Sequence, residues 1–147
     1  GEEAADITVE SSDLVATEVA GKQLPRLVDE VPVIALAACF ARGETVVREA
    51  NELRTKESDR IRMTVQGLSK LGADIRETPD GMVIRGTGGL HGGVAGSHGD
   101  HRLAMTLGVA GLLSTGETVV RGAEAARISY PNFWGDLRAV AGERREA

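Results

Sequence analysis

The spacing of apolar and polar positions along this chain changes several times, and each change marks an element. Residues 7–10 and 14–19 alternate apolar with polar side chains, the two-residue period of a half-buried strand. An apolar stretch over residues 32–42 reads as a helix. Pro32 suits its first turn, and Asp29 and Glu30 stand at its mouth, where negative charge is favoured. Over residues 57–71, Ile61, Val65, Leu68 and Leu71 fall on one face of a second helix, which Gly72 stops. Residues 73–77 and 82–85 read as a hairpin joined through Thr78-Pro79-Asp80-Gly81. Residues 86–99 are glycine-rich and read as turns, with a short strand at Val94. A helix over residues 101–115 follows, then a last one over 132–140 with Phe133, Leu137 and Val140 on one face. From Gly142 onward the chain is charged and reads as a frayed tail.

A repeat organises these elements. The hexapeptide Gly-Glu-Thr-Val-Val-Arg begins at Gly43 and occurs again from Gly116. Each copy follows an apolar helix and reads as a glycine stop, then a β-branched strand. A shared hexapeptide in matching contexts points to a duplicated unit. The predicted order is strand, helix, strand, helix, strand, strand, then a second similar unit. The fold class is α/β (α+β), with units at about residues 5–86 and 87–141 and no linker between unrelated domains. Residues 1–5 hold neither an initiator Met nor the start of an element, which reads as a cut or processed piece.

Composition narrows the functional classes. Aromatic residues make up only 3% of the chain, so the core is mainly Val, Leu, Ile and Ala. The net charge of −5 argues against a nucleic-acid partner, which calls for a basic footprint. It leaves room for an anionic small molecule, which requires only a local cationic cluster. Cys39 is the only cysteine, so an internal disulfide and a multi-cysteine zinc site are both excluded. It lies in an apolar run and reads as a small core residue. With no signal peptide and no apolar run of membrane-spanning length, the reading is a cytoplasmic protein with no membrane partner.

Two clusters carry candidate chemistry. Residues 54–60 open the second predicted helix, with Lys56 and Arg60 four apart on one face and Glu57 beside them. A helix N-terminus already offers N–H groups to anions, so this is either a phosphate or carboxylate site or a solvated first turn. At residues 99–102, Asp100 is a good N-cap, His101 is a residue type suited to acid–base work, and Arg102 can grip a carboxylate with two hydrogen bonds. The plainer reading there is a capped helix with an exposed His and Arg. Asp29 and Arg102 are separated by the same offset as the two hexapeptides, so they hold matching positions at matching helix mouths, and these mouths can share one surface. The glycine-rich residues 86–93 lack the Lys-Ser/Thr ending of a phosphate loop and read as turns. His91 and His98 read as loop residues, and Phe133 and Trp134 as packing.

The segment Leu53-Arg54-Thr55-Lys56-Glu57-Ser58-Asp59-Arg60 closely resembles a signature of the 5-enolpyruvylshikimate-3-phosphate synthases. Gly99-Asp100-His101-Arg102-Leu103-Ala104-Met105 resembles a second signature of that family, and the Asp29-Glu30-Val31-Pro32 and Ser129-Tyr130-Pro131 turns match as well. The resemblance implies one lobe of a two-lobed fold, each lobe built from three βαβαββ units around a pseudo-threefold axis. This chain looks like about two units of the C-terminal lobe, and the other lobe would be a missing partner. The implied reaction moves the enolpyruvyl group of phosphoenolpyruvate onto the 5-hydroxyl of shikimate 3-phosphate, releasing phosphate, in the shikimate pathway to aromatic amino acids. The piece alone would be inactive. By the same resemblance, Asp29 is a base candidate at the acceptor hydroxyl, Lys56 contacts that hydroxyl, and Glu57 moves a proton at C3 of phosphoenolpyruvate. Arg60 and Arg102 clamp phosphoenolpyruvate, with His101 in support. Arg127 stands near the place where the family often carries a Lys contacting phosphoenolpyruvate, the site glyphosate occupies. No metal or organic cofactor is implied. Two other readings stand beside this one: a non-catalytic anion-binding fragment, and an enolpyruvyl transferase with a different acceptor. The UDP-N-acetylglucosamine enolpyruvyl transferases share the fold but lack the Lys-Glu-Ser-Asp-Arg form.

Overall fold

The structure, a computed structural model, describes residues 4–143. Its first half contains β1 (Glu18–Val19), α1 (Leu24–Leu27), α2 (Val31–Ala38), β2 (Glu44–Val47), α3 (Arg60–Ser69), β3 (Asp74–Thr78) and β4 (Gly81–Arg85). The four strands form one sheet in the order β1-β2-β4-β3. β1 runs parallel to β2, as a connection through helix requires, and β4 is antiparallel to both β2 and β3. The expected hairpin is present. Gly81 is needed at its turn because a Cβ there would run into the backbone carbonyl of Val47.

The second half contains β5 (Leu90–His91), β6 (Val94–Gly96), α4 (His101–Leu113), β7 (Ser114–Thr115), β8 (Val119–Arg121) and α5 (Phe133–Glu143). β5 pairs with β7 and β6 with β8, both parallel. The sequence repeat has a counterpart in register. Glu18↔Val46 and Val19↔Val47 in the first half become Val94↔Val119 and Ala95↔Val120 in the second. The lone bridge Val15↔Arg42 becomes His91↔Thr115. The match is not uniform, because the leading strand lies further from the following one in the first half than in the second. The extra length sits between leading strand and helix, where α1 and the 3-10 turn Gly21–Gln23 are found.

The core is aliphatic, as the composition requires. Val31, Ala35, Leu36, Cys39, Val47, Leu53, Ile61, Leu68, Leu71, Met82, Ile84 and Leu107 bury together between sheet and helices. A side chain of Leu or Ile size contributes about 1.5–3 kcal/mol on full burial. Burial also pushes the Cys39 thiol up to about 11, so it is inert packing. A second cluster joins Ala104, Ala125, Ala126 and Phe133, with Trp134 and Leu137 against it. Trp134 Nε1 donates to the carbonyl of Ala123 at 2.8 Å, so the aromatic pair packs α5 onto the preceding turn.

Several boundaries differ from expectation. Residues 7–10 form no strand; Ile7 and Val9 are almost fully exposed, because alternation makes a strand only where a partner supplies hydrogen bonds. Of residues 14–19, only Glu18–Val19 is strand, with the bridge at Val15. The helix predicted to reach residue 42 stops at Ala38, where the carbonyl of Cys39 is taken by the distant N–H groups of Thr87 and Gly88, at 3.0 and 3.1 Å. His91 lies in β5 rather than in a turn. The last helix extends through Glu143, past the start of the expected frayed tail; the rest of that tail lies outside the described residues.

Candidate active site

The predicted helix over residues 57–71 begins only at Arg60, and this changes the geometry of the basic cluster. Asp59 is the N-cap, its Oδ1 accepting from the N–H of Arg62 at 3.1 Å. Residues 51–55 form a 3-10 segment, and Lys56 is extended, with φ −81° and ψ −160°. Lys56 and Arg60 therefore do not share a helical face. Lys56 is partly buried, with its Nζ paired to Glu52 at 2.9 Å, while the Arg60 side chain is buried among other carboxylates. Arg54 fixes this loop by donating to Asp59, Glu77 and the carbonyls of Thr78 and Pro79, which ties it to the hairpin turn.

Arg60 is the centre of the site. Its side chain is 1% exposed, and each guanidinium nitrogen serves a different carboxylate. Nε donates to Asp100 Oδ2 at 2.8 Å, Nη1 to Asp29 Oδ1 at 2.7 Å, and Nη2 to Glu57 Oε2. Burial alone would push the guanidinium down, but these carboxylates outweigh it and hold its pKa above the ordinary value. Asp100, completely buried, does two jobs. Its Oδ2 receives Arg60 and the hydroxyl of Ser58, and its Oδ1 caps α4 through the N–H groups of Arg102 and Leu103, at 2.8 and 3.4 Å. One carboxylate thereby locks the mouths of α3 and α4 together.

Asp29 links this centre to the third helix mouth. Its Oδ2 pairs with Arg102 Nη2 at 3.4 Å, and Arg102 Nη1 lies 3.7 Å from Glu30. The two positions related by the sequence repeat thus touch each other. The hydrogen bond from Arg60 is the main cause holding the Asp29 carboxyl below its ordinary range. Burial opposes it, and the charges of Arg102, Arg60 and Lys56 add to it. Beside this pair a cleft of about 180 Å³ opens, with Asp29, Glu30 and Arg102 at its rim and Val33, Met105, Thr106 and Val109 along its walls. The structure therefore brings Asp29, Lys56, Glu57, Arg60 and Arg102 to one surface. His101 opens α4 next to them, with its Nδ1 buried and without a hydrogen-bond partner among the described residues. Arg127 is exposed near the end of the 3-10 helix Ala123–Ile128 and in no ion pair among the described residues.

Sequence reasoning reads Asp100 only as a cap and gives Ser58 and Glu30 no partner in the site. The missing signal is spatial: a buried arginine needs carboxylates around it, and nothing in the linear order gives its burial. Among the described residues no His, Cys, Asp or Glu cluster is arranged to hold a metal, and no helix is long and apolar enough to cross a membrane.

Comparison with known proteins places this arrangement. The family model for EPSP synthase (3-phosphoshikimate 1-carboxyvinyltransferase) matches residues 1–137. A 3-phosphoshikimate 1-carboxyvinyltransferase of Roseiflexus castenholzii is 54% identical over 140 residues, covering 95% of this chain and 32% of the relative. One of Desulforudis audaxviator is 56% identical over 133 residues, covering 90% and 31%. A solved structure of EPSP synthase from Acinetobacter baumannii superposes with a TM-score of 0.82 at 38% identity, over 88% of this chain and 30% of that one. The chain thus spans about a third of the length of the curated relatives it matches. On its sequence and its fold alike, the chain belongs to the EPSP synthase family.

Proposed function

We propose that these residues form one wall of the active site of a 3-phosphoshikimate 1-carboxyvinyltransferase, completed by a second lobe, and that the described units at about residues 5–86 and 87–141 are two repeats of the C-terminal lobe. The observation that carries this reading is Arg60, buried and held by carboxylates from three helix mouths beside an open cleft.

The reaction requires proton traffic at two places. The acceptor 5-hydroxyl loses a proton while C3 of phosphoenolpyruvate gains one; later that carbon gives up a proton as phosphate leaves. Asp29 and Glu57 are the two exposed carboxylates on Arg60, and they suit these tasks as base at the hydroxyl and as acid then base at C3. Paired with Arg60, Asp29 is a weak base, since its pKa lies below the ordinary range. A substrate carboxylate arriving at Arg60 and Arg102 would exchange for Asp29, and the released carboxylate would regain basicity where the acceptor hydroxyl sits. Lys56 is placed to neutralise charge that develops at that oxygen. His101 supports the clamp from the first turn of α4. Arg127 reaches phosphoenolpyruvate only if the second lobe closes on its surface.

The test is phosphate release from shikimate 3-phosphate plus phosphoenolpyruvate, measured with the chain alone and with the remainder of the polypeptide supplied from a curated relative. Turnover only on complementation supports the reading. Robust turnover by the chain alone removes the need for a second lobe, and no turnover in either case, with both parts folded, sinks the assignment.

A further inference from the structure

The groups assigned to the reaction differ in what supports them. Asp29, Arg60 and Arg102 stand at helix mouths, whereas Lys56 and Glu57 lie in bends between the 3-10 segment Asn51–Thr55 and α3. A helix fixes its first turn through its own hydrogen bonds, and a bend has to be fixed from outside.

The β3–β4 turn supplies that support, and it holds the loop at both ends. At the start, Asp80 Oδ2 accepts from the N–H of Glu49 at 2.8 Å, and the Asp80 carbonyl accepts from the N–H of Ala50 at 2.7 Å. Glu49 has φ +61°, a left-handed conformation that a residue with a Cβ keeps only where its surroundings impose it. Further along, Leu53 is fully buried and seats the middle of the loop in the core. Arg54 then donates through Nη2 to the carbonyl of Thr78 at 2.8 Å and through Nε to that of Pro79 at 3.0 Å. Its Nη1 reaches Glu77 and Asp59, each at 2.8 Å, and Asp59 caps α3. Lys56 and Glu57 therefore lie on a short bridge whose ends, Arg54 and Asp59, are joined by a side-chain bond and fastened to the turn. The turn is in its own way set against the sheet, since at Gly81 it passes so close to β2 that a Cβ would meet the carbonyl of Val47.

We infer that the tip of the β3–β4 hairpin is a positioning element for the reaction, with Arg54 and Asp80 as positioning residues that set where Lys56 and Glu57 stand relative to Arg60. This rests on the function proposed above. Among the described residues neither Arg54 nor Asp80 bonds to Asp29, Arg60 or Arg102, so their effect on catalysis passes through the loop. Arg60 keeps Asp29 and Asp100 when the tip is loosened, which leaves the phosphoenolpyruvate clamp in place. Loosening the tip thus slows the steps assigned to Lys56 and Glu57 and spares the binding of phosphoenolpyruvate.

The test uses the chain assembled with the remainder of the Roseiflexus castenholzii relative, in the phosphate-release assay. Arg54→Lys keeps the charge but not the planar fork, and lowers kcat on the order of 100-fold while KM for phosphoenolpyruvate changes by less than about threefold. Asp80→Ala lowers kcat on the order of 10-fold. Asp80→Asn keeps an oxygen to accept from Glu49 and holds kcat within about twofold of the unsubstituted assembly. Asp74→Ala removes the ion pair with Arg85 at the opposite end of the same hairpin and leaves kcat unchanged. Where Arg54→Lys does not fold, the Asp80 pair decides. The inference is overturned by an unchanged kcat in Asp80→Ala, by an equal loss in Asp80→Asn or Asp74→Ala, or by a loss confined to KM. An unsubstituted assembly that folds but does not turn over overturns the functional reading, and this inference with it.

Discussion

At the residue scale, two aspartates with the same local job separate capping from ion pairing. Asp59 caps α3 and Asp100 caps α4, but only Asp100 also receives the buried Arg60. Asp59→Ala loses a cap and is expected to cost about 1 kcal/mol. Asp100→Ala strands a buried guanidinium and is expected to cost about 3–5 kcal/mol. Urea denaturation of both variants checks this, and equal losses would mean that the Arg60 pair contributes nothing. Asp29 gives a pH signature. Its pKa is depressed by Arg60, so its contribution is fully present above the ordinary aspartate value near 4 and is lost as pH falls through its lower folded value. Asp29→Asn should therefore flatten the acid limb of stability below about pH 4 and leave the slope above about pH 5 unchanged. A denaturation series from neutral to acid pH reads both.

At the element scale, hairpin and helices are legible where a single local rule governs them. The turn at residues 78–81, the N-cap at Asp100 and the stop at Gly72, with φ +86°, all follow from residue type. The start of α3 is not legible in this way, because residues 56–58 can enter a helix by composition. Arg54 pulls this loop onto the hairpin turn, a contact between residues far apart in sequence. Close approach makes a further test. Gly81→Ala drives a Cβ into the carbonyl of Val47 and should cost about 1–3 kcal/mol by displacing β4 from β2. Gly88→Ala has φ +77° but open space around it, and should cost about 1 kcal/mol of backbone strain. Thermal midpoints that rank the two in the opposite order would remove the steric account of Gly81.

At the scale of the whole molecule, several apolar side chains of the described residues stand in solvent. Ile7, Val9, Val33, Val94, Val119 and Ile128 are all substantially exposed, spread over the leading segment, the start of α2, the β6–β8 pair and the end of the 3-10 helix Ala123–Ile128. Such surface is expected where further polypeptide packs. The predicted outcome is cooperative stabilisation on assembly: co-expression with the remainder of a relative should raise the unfolding midpoint of the described core, read by Trp134 fluorescence. An unchanged midpoint at saturating partner would show that the exposed surface is not an interface.

The repeat, the aliphatic core, the two signatures and the matching of Asp29 with Arg102 were all legible in the sequence, because each rests on residue identity and spacing. The tertiary structure alone decided that Arg60 is buried, that Asp100 joins two helix mouths, that Lys56 and Arg60 pair with different carboxylates, and that residues 7–10 have no partner strand among the described residues. It also decided that the hairpin turn holds both ends of the loop carrying Lys56 and Glu57. These properties depend on which distant groups satisfy a charge or a backbone amide, and the local order of residues does not specify that.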